Sequence, residues 1–263
     1  MSSKSPKLIT MQGMIWKANE VLSWVLDPKT GGVHPDLFGP GLLGIAFINI
    51  VEVGFIFSGN VGTGILLSKD EKDGSWSPPC AIGLTGVGWG FIVGASMKDI
   101  VYLIYEPETM KAMRGDVGFK LGTQVEASIA NWGRTAEATF AISNKGVGTN
   151  IALSYSKGLF GGISIEGAVC NPRSAVNAKF YGKKEVTPKD ILVDRSVKLP
   201  HDDNLMPEVY DKLNKLCTGL VTFEVTQEEI ARARKIRELA EKEGEEHLKE
   251  ETIEIVEVDA ALS

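Results

Sequence analysis

Glycines set inside apolar, β-branched runs constrain this chain more than any other feature. Between Leu42 and Gly167, stretches of Val, Ile, Phe and Tyr are broken by glycine and turn residues, the pattern of successive strands. The 29 glycines exceed the roughly 7% usual in soluble chains. Gly83, Gly86, Gly88, Gly90 and Gly94 lie within one such stretch. Glycine in a strand interior permits a bend or a close approach of backbones, so we expect a strongly curved, mainly antiparallel sheet or partial barrel. Strands are expected at Ile45 to Phe57, Ala81 to Val87, Phe91 to Tyr105, Gly118 to Ala130, Ala136 to Ser143, Ile151 to Ser156 and Gly162 to Val169. Lys72-Asp73-Gly74, between Gly64-Ile65-Leu66-Leu67 and Trp76-Ser77-Pro78, supplies the positive-φ residues of a hairpin turn.

Helical periodicity flanks this region and makes the expected class α+β. Met11, Met14, Ile15, Ala18, Val21, Leu22 and Val25 recur on one face, predicting an N-terminal amphipathic helix over Met11 to Leu26, with Trp16 and Trp24 beside the stripe. The breakers of Asp27 to Gly41 predict a loop. Short helices are expected at Arg173 to Phe180 and Met206 to Leu216. Thr226 and Glu229 form a capping box for a charged helix to about His247. The expected organisation is a polar N-terminus (1–10), one domain (11–217) and an acidic helical tail (218–263).

Charge, cysteine content and the terminal residues speak against several function classes. From Glu224 to Ser263 there are 13 acids and 6 bases, leaving 21 acids and 22 bases in the body. A near-neutral body with an acidic tail is not the basic footprint of a nucleic-acid-binding protein, so no nucleic-acid partner is expected. Cys80, Cys170 and Cys217 are odd in number and far apart, which speaks against a disulfide framework or a cysteine-rich metal site and for a reducing, cytoplasmic setting. The polar start, Met1 to Lys7, has no apolar signal region, and Ser2 excludes myristoylation. The longest apolar candidate, Ala81 to Met97, is shorter than the ~20 residues a membrane span needs and carries five glycines.

Catalytic and cofactor motifs fail on their context. Ser58-Gly59-Asn60-Val61-Gly62-Thr63-Gly64 reads as a glycine-rich loop, but no Gly-Lys-Ser/Thr follows and the next residues alternate as a strand. Gly86-Val87-Gly88-Trp89-Gly90 lacks the third glycine spacing and the helix of a dinucleotide fingerprint. His34, His201 and His247 have no second ligand at helical spacing, so no metal site is expected. Ser164 is not in a nucleophile elbow, because its second glycine comes one residue late. No catalytic residue and no cofactor are therefore assigned. Glu52, Asp99 and Glu166, set in apolar strands, each require a partner or an exposed face. Arg134 and Lys157 are the sequence's candidates for that charge.

Taken in order, Gly44-Ile45-Ala46-Phe47, Gly62-Thr63-Gly64-Ile65-Leu66, Asp73-Gly74-Ser75-Trp76-Ser77-Pro78-Pro79-Cys80-Ala81-Ile82-Gly83 and Gly86-Val87-Gly88-Trp89-Gly90 closely resemble the SYLF, or Ysc84-type actin-binding, domain. The order continues with Leu121-Gly122, Gly133-Arg134, Ser154 to Gly162, Glu166-Gly167, and Arg173 through Asn177 to Phe180-Tyr181-Gly182. The resemblance runs from about Met11 to Leu213. It implies a non-enzymatic module that binds phosphoinositides and other anionic lipids, peripheral at membranes, with actin as an alternative partner and a link to endocytosis. Asn60-Val61 stands where family members commonly carry a basic residue followed by glycine, which is expected to weaken anion binding there. No SH3 or FYVE module is read beside the domain, so recruitment through one is not expected.

An anionic surface attracts each Lys or Arg by about 1 kcal/mol, and an amphipathic helix adds buried apolar area. The expected lipid-binding residues are therefore Lys4, Lys7 and Lys17, with Trp16 and Trp24 at the interfacial level. Arg173, Lys179, Lys183 and Lys184 make a second basic surface for phosphate oxygens or an acidic actin face.

Overall fold

The computed structural model describes residues 6–27, 35–54, 57–89, 94–115, 119–121, 127–131, 150–157 and 168–218. Helix α1 (Met11–Leu26) comes first, and a 3-10 turn (Pro35–Phe38) leads into four long strands. These are β1 (Gly44–Gly54), β2 (Phe57–Ser68), β3 (Cys80–Trp89) and β4 (Gly94–Ile104). Then come α2 (Pro107–Met113), β5 (Phe119–Leu121), β6 (Ala127–Asn131), β7 (Asn150–Lys157) and β8 (Ala168–Pro172). The helices α3 (Ser174–Tyr181), α4 (Pro188–Leu192) and α5 (Met206–Cys217) complete the described chain.

The strands form one sheet in the order β5-β8-β3-β2-β1-β4-β7-β6, open among the described residues and not closed into a barrel. Every pairing is antiparallel except β6 on β7. The expected α+β class, with a mainly antiparallel sheet between an N-terminal helix and C-terminal helices, is the one observed.

Along most of the described strands both faces of the sheet are covered, which is why the strands read as almost unbroken apolar runs. Period-two alternation sends Ile45, Phe47, Ile65, Leu67, Val101 and Leu103 to a face packed by α1 and α5. Ala46, Ile48, Leu66, Ile100, Tyr102 and Ile104 go to the other, under Met110 of α2 and Ile191 and Leu192 of α4. All seven apolar residues of the α1 stripe are at most 3% exposed. Full burial of a Leu, Ile, Val or Met stabilises by about 1.5–3 kcal/mol. The stripe is thus spent on the sheet. Thr10 caps the helix, its hydroxyl accepting from the Gly13 amide at 3.2 Å.

Gly64 shows why glycine is written into the centre of the sheet. A Cβ there would stand 1.9 Å from the Phe47 carbonyl oxygen across the β1–β2 ladder. Gly74 serves a different need, a left-handed turn at φ +72°. Its amide donates to the Asp70 carbonyl, and Lys69 and Trp76 form a bridge across the turn.

Some expectations change in detail. The strand expected from Ile45 to Phe57 is two strands, since β1 ends at Gly54 and β2 begins at Phe57 with Gly54 opposite Ser58. The glycine-rich stretch Ser58 to Gly64, read as a loop, lies wholly in β2. The Asp73-Gly74 turn forms, but the strand paired with β2 starts only at Cys80, after Pro78 and Pro79. Gly118 to Ala130 holds two short strands. Helices α2 and α4 and the 3-10 turn were not expected: each is under eight residues, too short for periodicity to register, and each opens on proline. The strand expected at 136–143 and the capped helix at 226–247 lie outside the described residues.

Candidate functional site

Helix α1 is locked to the sheet by a polar contact as well as by its stripe. Lys17 Nζ lies 2.8 Å from Asp99 of β4 and 2.8 Å from Glu20. Asn49 of β1 donates its side-chain amide to the second Asp99 oxygen at 2.7 Å. The ammonium also sits 4.7 Å from the centroid of the Trp24 ring. Burial by itself lowers the Lys17 pKa, but the hydrogen bonds and charges of Asp99 and Glu20 outweigh it, and the net shift is upward. Asp99 therefore has the partner that a carboxylate in an apolar strand demands. The sequence offered Arg134 and Lys157 for that role; the structure supplies Lys17, a residue the sequence reading had placed against lipid.

Two further contacts seat the helix. Lys212 of α5 donates to the Asn19 side chain at 2.7 Å and the Ser23 hydroxyl at 2.8 Å. Arg173, at the start of α3, donates to the Ile9 carbonyl at 2.9 Å, and its stem lies 3.4 Å from where a Gly83 Cβ would be. Between α1 and the sheet is a cavity of about 10 Å³, lined by Leu8, Met14, Lys17, Asn49, Thr63 and Asp99 among others, with room for about one water.

Beyond the N-terminus of α1 no described element packs on the same sheet face, and its side chains there are exposed. Val61 of β2 pairs with Val51 of β1, which pairs with Met97 of β4, so the three form a row across adjacent strands. They are 61%, 41% and 49% exposed. One row inward, the Thr63 hydroxyl donates to the Leu8 carbonyl, which brings up Ile9, 61% exposed, and the exposed Lys7. Gly83 is opposite Thr63 in that inner row, so the Arg173 stem runs along it too. One row outward from Val61, a Cβ on Gly59 would meet nothing within 4 Å. Periodicity could not have revealed this patch, because Val51 and Val61 belong to the same apolar runs as the buried residues.

The expected site residues thus separate into groups. Lys7 and Arg173 converge on the segment before α1, and Lys17 and Trp24 meet each other in the sheet contact. Trp16 is half-buried on α1, and Lys4 lies outside the described residues. Lys179, Lys183 and Lys184 are exposed at the far end of α3, about 12 Å of helix from Arg173. Gly182 ends that helix in a left-handed conformation at φ +63°, and Lys183 donates to the Ser196 carbonyl at 3.2 Å. Among the described residues no group of three His, Cys, Asp or Glu could hold a metal ion, and no helix is long and apolar enough to cross a membrane.

Comparison with known proteins places these features in context. A family model described as "Las17-binding protein actin regulator" matches residues 85–216. The chain is 40% identical over 188 residues to Protein YSC84 of Saccharomyces cerevisiae, covering 70% of this chain and 40% of that protein. It is 37% identical over 183 residues to LAS seventeen-binding protein 3 of the same yeast, covering 68% and 39%. It is 32% identical over 151 residues to human SH3 domain-containing YSC84-like protein 1, covering 57% and 42%. The chain spans about two fifths of the length of these curated relatives. No solved structure matches it.

Proposed function

This chain belongs to the Ysc84 family of Las17-binding actin regulators, and we propose that it is a non-enzymatic binding module that joins the actin machinery to anionic membrane surfaces. The observation that carries the membrane half is the set of exposed bases on the described surface. Lys7 stands before α1, and Lys179, Lys183 and Lys184 cluster at the end of α3. At about 1 kcal/mol for each base near an anionic bilayer, the α3 lysines alone supply about 3 kcal/mol at low salt. Phosphoinositide headgroups, with several phosphate oxygens, suit such a cluster. The module acts on the cytoplasmic side, peripheral to the bilayer.

Membrane contact does not require α1 to leave the sheet. Its apolar stripe and Lys17 are engaged in the core, so its contribution to lipid comes through the exposed segment ahead of it. The test is cosedimentation of the full chain with phosphoinositide-containing vesicles, comparing the parent with a Lys179→Ala, Lys183→Ala, Lys184→Ala variant. A loss on the order of a hundredfold at low salt, shrinking at high salt, is expected. Equal binding by the two proteins contradicts the assignment of these lysines.

A second reading is an actin scaffold that works without lipid, favoured by the description of the matching family as an actin regulator. Pelleting with filamentous actin in the absence of vesicles, together with no binding to any anionic vesicle, selects it.

A further inference from the structure

We infer that the row Val61–Val51–Met97, with Ile9 at its border, is a wedge that enters the interfacial layer of an anionic bilayer, so that the sheet and not the amphipathic helix supplies the apolar part of membrane binding. This rests on the membrane reading above and specifies its apolar contact.

Three observations carry it. The row is apolar and exposed on a face that α1 and α5 pack farther along, and a Cβ on Gly59, one row farther out, would meet nothing within 4 Å. The stripe that would ordinarily insert, from Met11 to Val25, is at most 3% exposed and cannot serve without unfolding the core. The border carries two bases, Lys7 and Arg173, beside the segment with Ile9, while among the described residues Asp99 and Glu20 on this face share the Lys17 ammonium, a net of one negative charge against the two bases. An apolar tip with two bases at its border matches an interface of acyl chains beneath anionic headgroups. A protein partner is the poorer match, since a stable interface takes about 20–30 residues a side and the described patch offers four apolar ones.

The experiment measures binding of the full chain to vesicles containing phosphatidylserine and phosphoinositide, for the parent, Val61→Asp, Val61→Ser and Val61→Trp. Thermal unfolding of each variant confirms that it folds. Because Val61 is exposed, Val61→Ser keeps the test valid even if Val61→Asp is destabilised. The wedge predicts binding weakened about tenfold by Val61→Asp, less by Val61→Ser, and strengthened by Val61→Trp, whose indole favours the interface. Brominated lipids should quench the added indole. Folded variants that all bind like the parent overturn the wedge and leave the membrane reading standing, whereas a parent that binds no anionic vesicle removes both. Loss of self-association in Val61→Asp with vesicle binding unchanged assigns the row to a second copy of the chain and also overturns the proposal.

Discussion

Substituting Lys17 by Met should cost more stability than any surface lysine change, and the reason can be worked from the contact beneath α1. The substitution leaves the Asp99 carboxylate, in a residue 6% exposed, with the Asn49 amide still donating to it but no countercharge from Lys17. Stranding one member of a buried ion pair costs about 3–5 kcal/mol. Substituting Asp99 by Leu strands the ammonium less completely, because Glu20 still pairs with it at 2.8 Å. It also leaves the Asn49 amide without its acceptor, and about 2–4 kcal/mol is expected. The double variant removes both charges and fills the space with apolar atoms, so it should fall within about 2 kcal/mol of the parent. Urea unfolding followed by tryptophan fluorescence measures all four proteins, and Trp24, 4.7 Å from the Lys17 ammonium, reports locally. The coupling energy should exceed about 2 kcal/mol. Single losses below about 1 kcal/mol, or simple additivity, refute the view that Lys17 is a structural charge. The pH dependence follows from the raised Lys17 pKa. The contribution is complete below the ordinary lysine value of 10.5 and is lost as pH rises through the higher folded value, so the parent should lose more stability there than the double variant.

Other consequences can be measured on the same protein. Asn150, fully buried, accepts from the Tyr105 and Glu106 amides at 3.0 and 3.2 Å and donates to Glu106 and Thr109 at 2.7 and 2.9 Å. Asn150→Ala should therefore cost about 2–4 kcal/mol in denaturant unfolding, and a loss under 1 kcal/mol would show that these bonds do not hold α2. Gly64→Ala must push β1 from β2 against a backbone oxygen, and a thermal shift equivalent to about 3 kcal/mol is expected; an unchanged melting temperature contradicts the close approach. Burial pushes the Cys170 thiol up to about 12, and Cys80 is buried as well, so a thiol reagent at pH 8 should reach the half-buried Cys217 first and all three only in denaturant. Rapid modification of two thiols in the native protein would count against the packing of β3 and β8.

How far the sequence alone could reach depends on how local the determining physics is. The α1 boundaries are legible because a seven-residue stripe at helical spacing runs directly into a breaker-rich exit. The turn at Gly74 is legible because only certain residues tolerate positive φ. Strand ends near Gly54 and Phe57 are not, since glycine marks both strand interiors and turns. The site was harder still. Composition identifies Lys179, Lys183 and Lys184 as neighbours, but the use of Lys17 depends on Asp99, 82 positions away and brought to it by the β1–β4 pairing. Exposure of Val61 depends on where α1 stops along the sheet, a property of no local segment.

The account stands most directly on vesicle cosedimentation of the intact chain, neutral against phosphoinositide-containing, at low and high salt, with filamentous actin pelleted in parallel. Binding to the anionic vesicles that weakens with salt and is absent on neutral ones is the predicted result. Failure to bind anionic vesicles at either salt, with actin pelleted normally, would contradict the membrane role and leave an actin scaffold in its place.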